Sequence, residues 1–382
     1  MRKHRLTAFI LALCLLLPCG SVRAAESACG RKLTWTFSNG TLHISGSGPM
    51  DNWGSVTERP WHHLAGEITR VTLSKGVTTV GNSAFMQCRA LTEVSLPSTL
   101  RSIGSQAFSL TGLTSLQLPK SLKEIGSLAF QQIRITELHL PDGLKSLGSY
   151  AFNNCKSLAA VTVGAKLTEV PVNPFSGCEA LQSLTVDDGN PALRAEGGFL
   201  TDIRDQRLIF APYGRAEETV PPGVQIIGAD CFTFNTVLRK ISLPDSVRII
   251  ADNAFQCCSA LSEITLPEGL EKLGSSAFHR TGSLTRLDLP ATVTEIGESA
   301  FSYSALTALT LPEGIDAIAP YTFFRCGSLK ELHLPASLEH IDATAFEDCG
   351  DALTIWAPKD SLALRFAREN GLKHRAEKAA GQ

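Results

Sequence analysis

A phenylalanine returns along this chain at positions 85, 108, 130, 152, 175, 232, 255, 278, 301, 323 and 346, and all steps but one agree to within a single residue. A second landmark keeps the same phase: Leu96-Pro97, Leu118-Pro119, Leu140-Pro141, Leu243-Pro244, Leu266-Pro267, Leu289-Pro290, Leu311-Pro312 and Leu334-Pro335, with Val220-Pro221 as a variant. Two landmarks sharing one such period mean a stack of short supersecondary units, none of which can bury its apolar side alone. Length, which at 382 residues would otherwise suggest two or three domains, therefore sets no domain count.

One unit, residues 261–283, reads LSEITLPEGLEKLGSSAFHRTGS. Ile264 and Leu266 alternate around Thr265 as a short half-buried strand, and Pro267 removes a backbone donor and ends it. Leu270 and Leu273 continue the core, Gly274 permits a tight turn, and Ala277-Phe278 sends a ring into the interior. Stacked, such coils make a parallel sheet with about 4.8 Å between neighbouring strands.

The pattern L-x-x-[IVL]-x-LP-x-x-[LV]-x-x-IG-x-x-AF-x-x-C resembles the BspA-like leucine-rich repeats of bacterial surface proteins. The resemblance covers most of the chain. It implies a β-rich leucine-rich-repeat solenoid, a parallel sheet of roughly eleven coils, each of about 22–23 residues. The family uses such arrays for adhesion or protein recognition at the cell surface. The resemblance names no ligand.

Around that array the sequence divides further. Residues 1–24 read as a secretory signal: Arg2, Lys3 and Arg5 precede an apolar run over 8–17, and Val22-Arg23-Ala24 suits a signal peptidase. The run is too short to span a membrane, no later segment is apolar enough, and Pro18 argues against Cys19 as a lipidated residue. Losing four basic and no acidic residues with the leader takes the net charge from −2 to −6, which disfavours a nucleic-acid partner. Residues 25–66 form an N-terminal β cap, with Trp35-Thr36-Phe37 and Leu42-His43-Ile44 as a hairpin around Asn39-Gly40 and Trp61 closing the first coil. The solenoid occupies 67–352. Its one long step, from Phe175 to Phe232, is more than twice any other and makes room for an inserted β-hairpin over 186–219. There Gly198-Phe199-Leu200 and Leu208-Ile209-Phe210 flank a polar turn. Residues 353–382 form a C-terminal cap and tail. Asp360-Ser361 N-caps a helix over 362–370, Gly371 stops it, and 373–382 fray.

Candidate chemistry is sparse. Cys88, Cys155, Cys178, Cys258, Cys326 and Cys349 each lie three residues after a landmark phenylalanine. Thr111, Ile133, Asn235, Thr281 and Ser304 take the same place elsewhere, so the position asks for a small side chain and not for sulfur. Free, mostly buried thiols are expected, with Cys326 and Cys349 near disulfide range. No paired Cys-x-x-Cys clusters offer a zinc site, and no nucleophile has an adjacent base. No enzymatic activity, metal or cofactor is expected.

What remains is the outward face of the strands. One column reads Arg70, Glu93, Ser115, Glu137, Ala160, Ser183, Lys240, Glu263, Arg286, Ala308 and Glu331. Its neighbour reads Thr72, Ser95, Gln117, His139, Thr162, Thr185, Ser242, Thr265, Asp288, Thr310 and His333. The candidate binding residues are Glu93, Gln117, Glu137, His139, Lys240, Glu263, Arg286, Asp288, Glu331 and His333. This face is small, polar and free of aromatics, whereas protein-binding hot spots favour Trp, Tyr and Arg. The leading expectation is a monomeric, secreted or surface-associated module that recognises a protein partner. The alternatives are an envelope or biofilm scaffold, and a glycan-binding accessory protein using Trp35, Trp53 or Trp61.

Overall fold

The computed structural model describes residues 23–377. The expected leader lies outside the described residues except for its last two, which open the strand Arg23–Gly30. The described residues form a β-solenoid of about 13 turns with parallel sheets and, among them, a single α-helix near the C-terminus. Turns beyond those marked by phenylalanine come from the ends. Thr41–Gly46 pairs in parallel with Arg70–Leu73, and Thr354–Pro358 and Lys373–Glu377 continue the stack at the far end.

Each coil has three sides. Strands such as Arg70–Leu73, Glu93–Ser95 and Ala160–Val163 form the first, and their alternate residues enter the core. Two-residue strands such as Ser102–Ile103, Glu124–Ile125 and Ser146–Leu147 form the second. The third is the phenylalanine turn, where the backbone does something its residue types do not advertise. The second residue before and the second after the ring are both left-handed: Ser83 and Gln87 around Phe85, Gln106 and Leu110 around Phe108, Ser276 and Arg280 around Phe278. For residues with a Cβ this costs on the order of 1–2 kcal/mol each. A third ladder offsets it, since the N–H groups of Ser83, Phe85 and Gln87 donate to the carbonyls of Ser105, Ala107 and Ser109 at 2.9, 2.7 and 2.8 Å. Gly274 is therefore not the residue that turns the chain. It is needed for close approach: a Cβ there would sit 2.5 Å from the Asp252 nitrogen of the preceding coil.

The rings make the spine of the core. Phe85, Phe108, Phe130 and Phe152 stack with centroids 5.1, 5.3 and 5.1 Å apart, and Phe232, Phe255 and Phe278 follow suit at 5.0 and 5.3 Å. Trp61 tops the column 5.6 Å from Phe85, and Phe366 closes it edge-on to Phe346 at 5.8 Å.

Within the long step between Phe175 and Phe232 the expected hairpin forms from Phe199–Asp202 and Arg207–Phe210, and a further strand, Leu193–Glu196, joins it. Leu193–Glu196, Phe199–Asp202 and Arg207–Phe210 form an antiparallel meander, whose last strand pairs in parallel with Ile226–Ile227. It is a wedge between two cores rather than a protrusion. Leu193, Leu200 and Phe210 join the N-terminal core, while Phe199, Leu208 and Ala211 join the C-terminal one.

Just after the wedge, Glu218 stands opposite Ile241 at a position that elsewhere holds an aliphatic residue. Its carboxylate is buried, 3.4 Å from Arg215 without hydrogen-bond geometry. Burial pushes its pKa above the ordinary glutamate value, and Arg215 pulls back only part of the way. A raised folded-state pKa means that its contribution is fully present below the unfolded value and is lost as pH rises through the folded one. Glu218→Leu should therefore raise the unfolding midpoint at pH 7, with the gain shrinking toward zero below about pH 4.5. An equal gain at both pH values, read by thermal denaturation, would show that ionisation is not the cause.

Both ends are closed. At the N-terminus Asn39 and Gly40 take φ of 48° and 74° in the tight turn between Leu33–Ser38 and Thr41–Gly46. Trp35, Trp53 and Trp61 are buried, with 2, 8 and 0% exposed, so these rings pack the cap and are closed to a sugar. At the C-terminus the Ser361 hydroxyl accepts from the Leu364 N–H at 3.3 Å. That contact starts the helix Leu362–Glu369, and Gly371 (φ 69°) ends it. Residues expected to fray instead form the strand Lys373–Glu377; 378–382 lie outside the described residues.

Candidate functional site: the strand face and its grooves

The two outward columns exist as in-register ladders. Glu137 faces Ala160, Lys240 faces Glu263, and Glu331 faces Ala308; His139, Ser242 and His333 pair with Thr162, Thr265 and Thr310. Much of their charge is answered from within. Glu93 lies 2.7 Å from Arg70, and Glu263 holds the Lys240 ammonium protonated above the ordinary lysine range. His333 is paired with Glu377. Glu137, His139 and Gln117 are exposed. The ten candidates are thus strung along the solenoid rather than gathered into one pocket.

The face is not free of aromatics. One further period beyond His333 brings Trp356 onto the same column, in register, and Arg375 follows it. The His333 and Trp356 rings stack at 5.7 Å, and the Arg375 guanidinium lies 5.2 Å from the Trp356 centroid. Counting one more turn past the last phenylalanine would have found this ring.

The sheet is also discontinuous. Besides the gap at the wedge, no strand pairing forms over 113–118 or over 284–289, so one sheet ends at Glu93–Ser95 and another at Glu263–Thr265. These two coils share the dipeptides Thr111-Gly112 and Thr281-Gly282 three residues after the ring. There each hydroxyl donates to the phenylalanine carbonyl of its own coil, at 2.8 Å in both cases. A cysteine at that position instead reaches across. Cys155, Cys178, Cys258, Cys326 and Cys349 donate to the phenylalanine carbonyls of the preceding coil at 3.3, 3.2, 3.1, 3.0 and 2.9 Å. All six cysteines of this register, Cys88 included, lead into strands paired with the preceding coil. A thiol is a weak donor, but one that bridges coils favours closure, whereas one turned inward does nothing for it. These thiols are buried. Desolvation pushes Cys349 up to about 12 and Cys88 to about 11, with Arg59 beside Cys88 drawing it back a little, so neither is a reactive thiolate.

The second discontinuity opens the face. A groove of about 580 Å³ separates Thr285–Leu289 from Thr307–Thr310, and one of about 430 Å³ separates it from Ser262–Leu266. Arg286 and Asp288 stand on the rib between them, both more than three-quarters exposed and 3.2 Å apart. No backbone hydrogen bond joins 286–289 to a neighbouring coil. Among the predicted residues, Glu263, Arg286 and Asp288 line one groove together.

Among the described residues no helix is long and apolar enough to cross a membrane, and no three His, Cys, Asp or Glu side chains cluster as metal ligands.

The family described as "BspA type Leucine rich repeat region" matches residues 63–193 and 225–352, more than half of the chain, in six copies. The unmatched stretch between them holds all of the wedge but its first residue. Among solved structures, a leucine-rich repeat protein from Eubacterium ventriosum is 22% identical with a TM-score of 0.69, over 86% of this chain and 82% of that one. The pneumococcal vaccine antigen PcpA is 18% identical with a TM-score of 0.64, over 94% and 99%. A leucine-rich cell surface protein from Faecalibacterium prausnitzii is 22% identical with a TM-score of 0.57, over 91% and 98%. No curated protein matches the sequence.

Proposed function

We propose that this chain, which belongs to the BspA-type leucine-rich repeat family, is a secreted or surface-held, non-enzymatic module that recognises a protein partner on its strand face. The observation that carries the reading is the double groove around Arg286 and Asp288. Backbone donors and acceptors that neighbouring coils leave unpaired are groups that a partner's main chain can satisfy, and the flanking charges supply orientation. The leader-like N-terminus supports an extracellular setting, as does the cell-surface description of the Faecalibacterium protein. Residues 1–24, 25–66, 67–352 and 353–382 then serve as leader, cap, recognition array and closing cap. Glu93, Gln117, Glu137, His139, Lys240, Glu331 and His333 extend the face on either side of the groove. The glycan-binding reading loses its cap tryptophans to burial, and both faces of Trp356 are already covered.

Crosslinking through a photoreactive side chain at position 286, on intact producing cells, should capture a discrete protein partner. Capture should fall at least about tenfold when Asp288→Arg is added. Undiminished capture by that variant, or none by either, would sink the reading. The groove itself can be closed. Thr281→Cys should restore the cross-coil donor and raise amide-exchange protection over 285–289 toward that of Glu263–Thr265, while weakening partner capture. Unchanged protection would show that the residue at this position does not govern pairing.

A further inference from the structure

The phenylalanine-turn side of the solenoid differs between its two halves. In the N-terminal half, the residues that follow the ring use up their own hydrogen-bonding capacity. Ser109 donates to Gln131 at 3.0 Å, Gln131 to Asn153 at 3.2 Å, and Asn153 to the Ser176 carbonyl at 3.0 Å. In the C-terminal half the same turns carry rings and guanidinium groups, on the second residue before or after the core phenylalanine and at Phe324 directly after it. Tyr303 stands between Arg280 and Arg325, whose Cζ atoms lie 5.0 and 5.6 Å from its ring centroid. Arg325 also covers Phe324 at 5.1 Å and donates to the Tyr303 hydroxyl at 3.2 Å. Tyr321, 38% exposed, packs edge-on against Phe324 at 5.6 Å.

This ridge has the composition of a binding hot spot, rich in Tyr and Arg, on the side of the solenoid where the strand face is not. It is also held in place: Arg280, Tyr303, Tyr321 and Arg325 all have left-handed backbones, the turn ladder holding three of them and the Thr344 hydroxyl accepting from the Tyr321 N–H. Two features define the partner. Arg325 is neutralised by Asp348 at 3.0 Å, but Arg280 has no carboxylate within 4.0 Å among the described residues. Arg280 lies over the Tyr303 ring and is exposed, and a guanidinium offers a carboxylate a fork of parallel N–H donors. The two guanidinium groups also cover the Tyr303 ring, which closes it to a sugar, while the exposed flank of Tyr321 and Phe324 offers an edge for an apolar side chain.

We propose that this ridge is a second interaction surface, one that takes a polypeptide segment carrying a carboxylate next to a large apolar side chain. The acid would seat on Arg280 and the apolar group against Tyr321 and Phe324. It acts independently of the grooves around Arg286.

A phage-displayed library of random peptides, selected on the full chain, tests this. Enriched sequences should pair Asp or Glu with Leu, Phe or Trp. Their binding should weaken at least about tenfold for Arg280→Ala and for Tyr303→Ala, and should be unchanged for Arg286→Ala. Both ridge substitutions lie at the surface, and an unchanged unfolding midpoint for Arg280→Ala separates lost recognition from lost fold. No enrichment, enrichment of basic peptides, or binding indifferent to Arg280 and Tyr303 would each overturn the proposal. Loss on Arg286→Ala instead would assign the peptides to the strand face.

Discussion

Phe255→Ala is expected to destabilise the solenoid by about 3–5 kcal/mol, the range for truncating a fully buried ring. Phe255 is wholly inaccessible and lies between Phe232 at 5.0 Å and Phe278 at 5.3 Å, nearly parallel to both. Its replacement leaves two ring faces without partner atoms, and the neighbouring coils cannot collapse into the gap. Three ladders already fix their spacing, including the one in which the Phe255 N–H donates to the Ala277 carbonyl at 2.9 Å. Urea denaturation followed by circular dichroism measures the loss. A change below about 1 kcal/mol would mean that the stack is not the spine of the core. Because contacts in a repeat array run only between neighbours, the damage should also be local. Amide exchange should rise first over 232–300, and the N-terminal core should keep its protection.

What could be read from sequence follows the same logic of repetition. The phenylalanine and Leu-Pro landmarks recur often enough that period, strand position and core ring need no structure to find. The Ser361 cap and the Asn39-Gly40 turn are legible because those residue types have backbone preferences of their own. Three features are hidden for different reasons. The left-handed pairs around most of the rings include Gln, Leu, Tyr and Arg, which do not prefer that conformation and adopt it because the inter-coil ladder compensates. The first strand of the wedge, Leu193–Glu196, reads LRAE, too charged to resemble a strand in isolation. The site is the hardest to read. Its candidates follow from outward direction alone, which says nothing about where coils separate. That information sits in Thr281-Gly282, where by size alone threonine is interchangeable with cysteine. The difference is which coil's carbonyl the side chain reaches, and that is a three-dimensional fact.

Trp61→Ala should cost as much as the loss of a core phenylalanine and should act differently. The Trp61 ring is wholly buried. It stacks on Phe85 at 5.6 Å, meets Trp53 and Trp35 edge-on at 5.2 and 6.0 Å, and donates its Nε1–H to the Ala84 carbonyl at 2.9 Å. Truncation removes about 3–5 kcal/mol of packing and strands a buried carbonyl, worth about 1–3 kcal/mol more. Beside it, Arg59 is buried and donates to the Ser83 carbonyl at 3.2 Å, and loosening the cap opens that contact as well. A coil in the middle of the array has a coil on each side, whereas the outer side of the first coil is covered by the cap alone. Once the cap detaches, the end of the phenylalanine stack and an unpaired strand edge face water together, which is the condition under which repeat arrays fray inward and self-associate. The expected result is early amide exchange over 29–95 with the C-terminal core intact, together with concentration-dependent growth in light scattering. Uniform loss of protection along the chain would show that the array unfolds as one unit and that the cap is no more than its first segment.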